Sequence, residues 1–385
     1  MLYRNLGKTG KKVSILGFGC MRLPILDNNP ANIDEPLATK MIHYAIEAGV
    51  NYFDTAYPYH GTSFTEGGMS EVFLGNVIKD GEYRDEVYLA TKSPSWLIQK
   101  KEDLNHYLDE QLKRMQTDKI DFYLLHGLNG DLCKHLTNLD VQEFLDTAIE
   151  DQKIGYAGFS FHGESKSFKE IVDSYNWSFA QIQYNYMDQD FQAGLAGLEY
   201  LASKNIGTII MEPLKGGYLT NNIPPDVQRI WDSAEIKRTP AEWGLRYLWN
   251  RKDVDLVLSG MSTMEQIQEN IKIAEEGIVR SLTSDENNLI MKVKSAFEAK
   301  KYIECTACNY CMPCKNGVNI PQNMNLLNEL YIYQNMPRTA GSYAFLNSVG
   351  ASAEFCDECG ECEDKCTQNL PIRKYLKELA ETFKN

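Results

Sequence analysis

No stretch of this chain approaches the roughly 18 continuous apolar residues that a membrane span requires. The N-terminus, MLYRNLGKTG, also lacks the apolar segment of a secretory leader. Basic side chains are in deficit, 39 Lys and Arg against 53 Asp and Glu, for a net charge of −14. That sign argues against nucleic acid or an anionic membrane as the main partner and leaves a small molecule or a basic protein patch. Cysteine is scarce in the first 300 residues, which hold only Cys20 and Cys133. Neither matches a ligand spacing, and they read as a packed thiol and an incidental loop thiol. A cytoplasmic protein is expected, in a compartment where thiols stay reduced and C-x-x-C runs signify metal or redox chemistry sooner than disulfides.

The remaining eight cysteines fall in two tight runs near the C-terminus: Cys305, Cys308, Cys311, Cys314, then Cys356, Cys359, Cys362, Cys366. The first reads C-x2-C-x2-C-x2-C and the second C-x2-C-x2-C-x3-C, close to the bacterial ferredoxin spacing in which the fourth cysteine of each run ligates the other cluster. By that exchange rule Cys305, Cys308, Cys311 and Cys366 hold one 4Fe-4S cluster, and Cys356, Cys359, Cys362 and Cys314 the other. Four-cysteine zinc sites also use C-x-x-C pairs, but seldom a third and fourth cysteine at the same short spacing. Two departures bear on the fourth ligands: the gap before Cys314 is short, and Lys315 and Thr367 stand where proline usually follows. Between the runs, Met324, Leu327, Leu330 and Tyr331 recur at helical spacing, which predicts a mainly α-helical ferredoxin-like module.

From residue 15 to about 275, short apolar runs alternate with amphipathic stretches. Eight such runs are present: Ile15 to Met21, Val50 to Phe53, Val87 to Ala90, Ile120 to Leu125, Ile154 to Phe159, Phe179 to Ile182, Gly207 to Met211 and Val254 to Leu258. Each is followed by a helical pattern, such as Leu104, Leu108, Leu112 and Met115. This predicts an α/β fold, a (β/α)8 TIM barrel, with an open doubly wound sheet as the alternative. The leading LGKTGKKVSILGFG reads as a hairpin turning at Gly7 and Gly10, ahead of the first barrel strand. The predicted division is a barrel over 1–284, a linker helix over 285–301 and the cysteine module over 302–385.

In such barrels catalytic groups sit at the C-terminal ends of the strands. Those ends carry Asp54 in NYFDTAYPY, Lys92 in YLATK and His126 in FYLLH, with Tyr59 five residues past Asp54 and Tyr57 as a competing phenol. Alone, each has an ordinary reading as a cap, a loop residue or a strand end. Jointly, at the ends of strands two, three and four, they compose a site. Were a carbonyl reduced here by hydride, the reaction would require a proton donor at the developing alkoxide. A phenol of ordinary pKa near ~10 needs a neighbouring ammonium to favour its phenolate. Lys92 suits that task, Asp54 would fix and balance the lysine, and His126 would orient the substrate oxygen.

This block resembles the aldo-keto reductase superfamily, whose D-T-A-x-x-Y motif and strand-end lysine and histidine form an Asp, Tyr, Lys, His tetrad. With the appended cysteines, the chain resembles the ferredoxin-fused branch of that superfamily. The resemblance implies that Ser160 and Gln181 bind the nicotinamide carboxamide and that Met211 stacks against the ring. It also implies that Pro213, Leu214, Lys215, Gly216 and Gly217 run along the pyrophosphate, and that Gly260, Ser262, Gln266, Glu269 and Asn270 form the adenine end. Many relatives have asparagine where this chain has Phe161, and a basic residue where it has Gln266. The implied cofactor is NADP(H), with NAD(H) as the alternative, beside two 4Fe-4S clusters.

The expected function is hydride exchange between this nucleotide and a small-molecule carbonyl or alcohol, with Tyr59 as acid/base. Hydride carries two electrons, a cubane ordinarily accepts one, and the sequence holds no flavin motif to split the pair, so direct transfer from nucleotide to cluster is not expected. The clusters are expected to exchange electrons with a substrate held near Tyr59 or with a redox partner protein, or only to hold the C-terminal fold. The alternative is an iron-sulfur electron-transfer protein that uses its barrel as a docking scaffold.

Overall fold

The computed structural model describes residues 1–384. Its central feature is a closed barrel of eight parallel strands, β3 (Leu16–Gly19), β4 (Tyr52–Asp54), β5 (Tyr88–Ser93), β6 (Ile120–Leu128), β7 (Ile154–Phe161), β8 (Phe179–Gln183), β9 (Gly207–Met211) and β10 (Leu256–Ser259), with β10 paired to both β9 and β3. All eight apolar runs are barrel strands, and closure excludes the open sheet. The parallel strands are buried on both faces, which is why they read as apolar runs without alternation. Phe122 stands at the centre of the barrel's lower layer, its ring 5.2–5.6 Å from those of Tyr52, Tyr88, Tyr156 and Phe179.

The N-terminal hairpin, β1 (Tyr3–Asn5) paired antiparallel with β2 (Lys12–Ser14), places Leu6 and Val13 in contact with the barrel core. Gly7 has φ +46°, and a Cβ there would lie 2.2 Å from the Gly207 nitrogen, so only glycine allows this approach. Asp255 holds the same corner: its Oδ2 accepts from the Gly7 and Thr208 amides at 3.1 and 2.9 Å. Burial raises its carboxyl to about 6, against the pull of those amides and of Arg4. A carboxyl raised on folding stabilises the fold when protonated, and that contribution is lost as pH rises through about 6. Asp255→Asn, which keeps an acceptor oxygen but no charge, is therefore expected to gain stability relative to the parent by up to about 3 kcal/mol between pH 4 and pH 7.5. Paired thermal melts at the two pH values check this; a difference that does not change with pH contradicts it.

Two compact units are distinguished, Met1–Pro213 with Glu242–Thr283, and Leu214–Ala241 with the residues from Ser284 onward. The first is the barrel. In the second, helices run over Ser284–Glu298, Ile320–Tyr333, Met336–Ser348 and Ile372–Thr382, with a short one at Glu361–Asp364, and no strand occurs among its described residues. Segment 214–241 joins this unit through ring and polar contacts: Tyr218 stacks on Tyr333 at 4.8 Å and shares a 3.0 Å hydrogen bond with Thr339. Seven of the eight clustered cysteines lie outside regular structure, and side-chain amides satisfy backbone groups of the segments that flank them. Asn328 binds both backbone groups of Ile303, and Asn323 binds Asn319, Ala351 and Ala353. Around Met324, Leu327, Leu376 and Leu379 lies a small apolar core against which six of the eight cysteines pack.

Candidate active site and cysteine cavities

The barrel brings the four predicted residues together. Lys92 Nζ donates to Asp54 Oδ1 at 2.6 Å and to the Thr55 carbonyl at 2.7 Å, and lies 3.4 Å from the Tyr59 hydroxyl. The ammonium is also 4.8 Å from the centre of the Tyr59 ring, and the His126 ring stands edge-on to that ring at 5.9 Å. Tyr57 turns away toward Glu110 at 3.4 Å, which separates the two phenols. His126 lies within an irregularity of β6, where the register against β7 shifts between Leu125 and Leu128 near the strand end.

Burial dominates the electrostatics. It raises the Tyr59 phenol above its ordinary value of 10.0, although Lys92 pulls the other way by charge and hydrogen bond. Burial likewise raises Asp54 against the opposing charge of Lys92. For Lys92, burial disfavours the ammonium, but Asp54 and Tyr59 outweigh it and keep the charge. Burial, with Lys92 and His162 nearby, holds His126 well below 6.5, so the imidazole is neutral. The site thus offers a protonated phenol, a charged ammonium and a neutral imidazole.

Farther around the mouth, Gln181 Oε1 is buried without a hydrogen-bond partner, while its amide nitrogen lies 3.7 Å from the Met211 sulfur. Ser160 Oγ accepts from the Gly127 amide at 2.8 Å and keeps its own hydrogen to donate. In the 260–270 segment, Ser262 N–H donates to Gln266 Oε1 at 2.8 Å, Ser262 Oγ donates to the Arg22 carbonyl at 2.7 Å, and Asn270 donates to Ser259 Oγ at 3.0 Å. Glu269 stands partly exposed on the same helix, and a Cβ on Gly260 would meet the Arg22 side chain at 3.4 Å. Pro213 ends the barrel unit. Leu214, Lys215, Gly216 and Gly217 belong to the second unit, where Lys215 lies 3.7 Å from Glu329 and both glycines take left-handed conformations, φ 62° and 94°.

Sequence reasoning missed several mouth residues. Arg22 forms a 2.9 Å ion pair with Glu212, which follows Met211 with φ +53°, an unusual conformation for glutamate. Trp96 sits 5.2 Å from the His126 ring and donates its indole N–H to the Phe64 carbonyl. His162 lies near enough to His126 to act on its charge, and its own imidazole is lowered by burial although the residue as a whole is exposed. A basic residue just after strand one and the lone Trp after YLATK were the available signals.

In the second unit, one cavity is lined by Cys305, Cys308, Cys311 and Cys366 over an apolar floor of Ile320, Met324 and Ile372. Another is lined by Cys314, Cys356, Cys359 and Cys362, with Cys311 also touching it. The two C-x-x-C turns match: Ala307 and Glu358 are both left-handed, φ 52° and 56°, and their amides donate to the sulfurs of Cys305 and Cys356 at 3.5 and 3.4 Å. Among the described residues, no three His, Cys, Asp or Glu side chains converge on a single metal ion. Among the described residues, no helix is long and apolar enough to cross a membrane.

Comparison with known proteins agrees with both halves. The profile of the aldo/keto reductase family matches residues 15–293, and that of the 4Fe-4S dicluster domain matches residues 304–370. L-galactose dehydrogenase from Arabidopsis thaliana is 28% identical over 310 residues, 74% of this chain and 91% of its own length. L-glyceraldehyde 3-phosphate reductase from Escherichia coli O157:H7 is 24% identical over 317 residues, 71% and 87%. Among solved structures, the holo form of an aldo-keto reductase from Bacillus halodurans superposes with a TM-score of 0.62 at 26% identity, covering 76% of this chain and 96% of that one. The chain therefore belongs to the aldo/keto reductase family, as an oxidoreductase enzyme that carries a 4Fe-4S dicluster domain at its C-terminal end.

Proposed function

We propose that the enzyme reduces a small-molecule carbonyl, or oxidises the corresponding alcohol, at the expense of a nicotinamide nucleotide, with Tyr59 as the acid/base. The observation that carries this reading is the Asp54, Lys92, Tyr59 chain of contacts at 2.6 and 3.4 Å, beside a neutral His126. The unpartnered oxygen of Gln181 and the free hydroxyl hydrogen of Ser160 fit the amide nitrogen and carbonyl oxygen of a carboxamide. Met211 supplies an apolar face beside them, and Gly260, Ser262, Gln266, Glu269 and Asn270 the adenine end. When bound, the dihydronicotinamide supplies the hydride.

The protein's own part is proton delivery and orientation. As the carbonyl oxygen gains charge, the Tyr59 hydroxyl donates its proton to it. Lys92 stabilises the phenolate left behind, and solvent returns the proton. Asp54 keeps Lys92 charged and in place. His126, being neutral, offers one N–H to the substrate oxygen without competing as an acid. The cofactor proposed is NADP(H), with NAD(H) as the alternative, which gains support because position 266 is glutamine and the 260–270 segment holds no Lys or Arg to neutralise a 2′-phosphate.

The two four-thiol cavities fit two 4Fe-4S clusters, with Cys305, Cys308, Cys311 and Cys366 on one, and Cys314, Cys356, Cys359 and Cys362 on the other. Such clusters exchange single electrons, with a redox partner protein or with substrate. A reducing compartment such as the cytoplasm belongs to the same proposal. Equilibrium binding of NADPH and NADH tests the nucleotide reading against the scaffold alternative, in which the barrel binds neither. The parent protein is expected to bind, and Gln181→Ala to weaken binding about tenfold through loss of a buried hydrogen bond. Absence of binding to either nucleotide would overturn the reading.

A further inference from the structure

We propose that Glu71 and Arg114, on the outside of the barrel, are positioning residues that set the separation between Lys92 and Tyr59; this rests on the function proposed above. The residues of β5 alternate in direction, so Lys92 enters the barrel while Thr91 faces outward. Behind the lysine lies a fully buried carboxylate. Glu71 Oε1 accepts from Thr91 Oγ1 and from Gln111 Nε2, each at 2.6 Å, and Oε2 accepts from Arg114 Nε at 2.8 Å. The same Gln111 nitrogen donates to the Lys92 carbonyl at 3.0 Å, and Gln111 Oε1 accepts from the Tyr123 hydroxyl at 2.9 Å. Glu71 and Gln111 are both 0% exposed.

Glu71's neighbour reaches the other end of the lysine. Ser70 Oγ accepts from Thr55 Oγ1 at 2.8 Å and donates to the Cys20 carbonyl at 3.1 Å. Thr55 in turn gives its carbonyl to Lys92 Nζ. The start of the helix Ser70–Asp80 therefore ties both the backbone and the ammonium of Lys92.

Arg114 carries the connection to Tyr59. Its Nη2 donates to the Gly68 carbonyl, and a Cβ on Gly67 would stand only 2.7 Å from Nη1. Gly68 lies so close to the Tyr59 carbonyl that a Cβ would fall 2.1 Å from that oxygen. The Ser70 amide donates to the same oxygen at 3.1 Å. The loop bearing the phenol and the strand bearing the lysine are thus joined through one ion pair.

Stability alone is a weak reason for such a pair. Buried ion pairs are often matched or exceeded by apolar residues of equal volume, so this one serves geometry better than it serves folding energy. At 3.4 Å the Lys92 to Tyr59 contact is at the long end of a hydrogen bond. A few tenths of an ångström there change how far the ammonium favours the phenolate.

The test uses the cluster-loaded protein labelled at the tyrosine Cζ carbons with 13C. The Tyr59 resonance is assigned by its loss in Tyr59→Phe, and its titration needs no substrate. Glu71→Gln keeps size and an acceptor but removes the charge; Arg114→Lys keeps the charge but loses the fork. In each, Tyr59 is expected to titrate at a pH higher by about half to one unit. Turnover is expected to fall about tenfold with nucleotide KM unchanged, and that loss to vanish in the Tyr59→Phe background. If both variants retain iron content and circular dichroism while Tyr59 titrates as in the parent, the inference fails and the functional reading stands. A shifted titration in a protein that never turns over carbonyls with either nucleotide supports the positioning and overturns the reading.

Discussion

Replacing Tyr59 by phenylalanine is expected to lower nicotinamide-dependent carbonyl turnover by about 10²- to 10⁴-fold, the range for loss of a positioned general acid. Nucleotide affinity is expected to hold within about twofold, because the proposed mechanism has the hydroxyl act on the substrate oxygen and not on the dinucleotide. The pH dependence of the parent follows from the same site. Tyr59 lies above its ordinary 10.0 and His126 well below 6.5. Reduction, which needs the phenol protonated and the imidazole neutral, therefore stays level through the neutral range and falls only above pH 10. Oxidation of the alcohol, which needs the phenolate, climbs across that alkaline limb. Steady-state profiles in both directions check the assignment. Full turnover in Tyr59→Phe, or a reduction limb near pH 6.5, would place the proton elsewhere.

The second large effect concerns the cysteines. Cys308→Ala and Cys359→Ala each remove one thiol from one cavity, at its exposed edge. Iron is expected to fall from about eight to about four atoms per chain in each single variant, and to near zero in the pair. The consequence extends to the fold of the second unit. Six cysteines pack against its small apolar core, and the segments that flank them depend on Asn323 and Asn328 for backbone bonds. Without clusters, four unligated thiols per cavity replace a bonded centre that ties the two cysteine runs together, and metal binding of this kind is coupled to folding. Protease cleavage confined to residues 300–384, with the barrel melting transition retained, is the expected result for the double variant. A double variant that keeps its iron, or loses it with no change in protection of this region, would assign the thiols otherwise.

Much of the barrel was legible because its strands are parallel and buried on both faces, so each appears as a continuous apolar run. Closure was inferable from the count of eight. The tetrad was legible for a different reason: three members end such runs, and the fourth sits at fixed distance from Asp54. What one residue's position cannot tell is which outward polar group meets which. Glu71, Gln111 and Arg114 look like the polar face of surface helices, yet Glu71 and Gln111 are fully buried behind Lys92. Likewise nothing in MEPLKGG marks Glu212 as the left-handed residue that pairs with Arg22. Chain order places 214–241 within the barrel region, and the family match over 15–293 includes it, but by contacts the segment groups with the second unit. Tyr218 gathers that segment with helices more than 100 residues later, through ring stacking that no local pattern encodes.

The balance between Tyr59 and Lys92 was only half visible. A neighbouring ammonium does act to lower the phenol, as its chemistry requires, but burial outweighs it. For reduction this is no handicap, since a phenol that stays protonated is ready to donate. In the proposed mechanism the lysine acts by stabilising the phenolate that each turnover would leave.

The most direct measurement is a single turnover of the cluster-loaded protein, under anaerobic conditions, with NADPH carrying deuterium at the transferable C4 position and a panel of small aldehydes and ketones. Deuterium recovered on the carbinol carbon, one per nucleotide consumed, with the hydroxyl proton supplied through Tyr59, is the predicted result. Solvent hydrogen on that carbon, or carbonyl reduction that proceeds from a chemical electron donor with no nucleotide consumed, would contradict hydride transfer in this barrel.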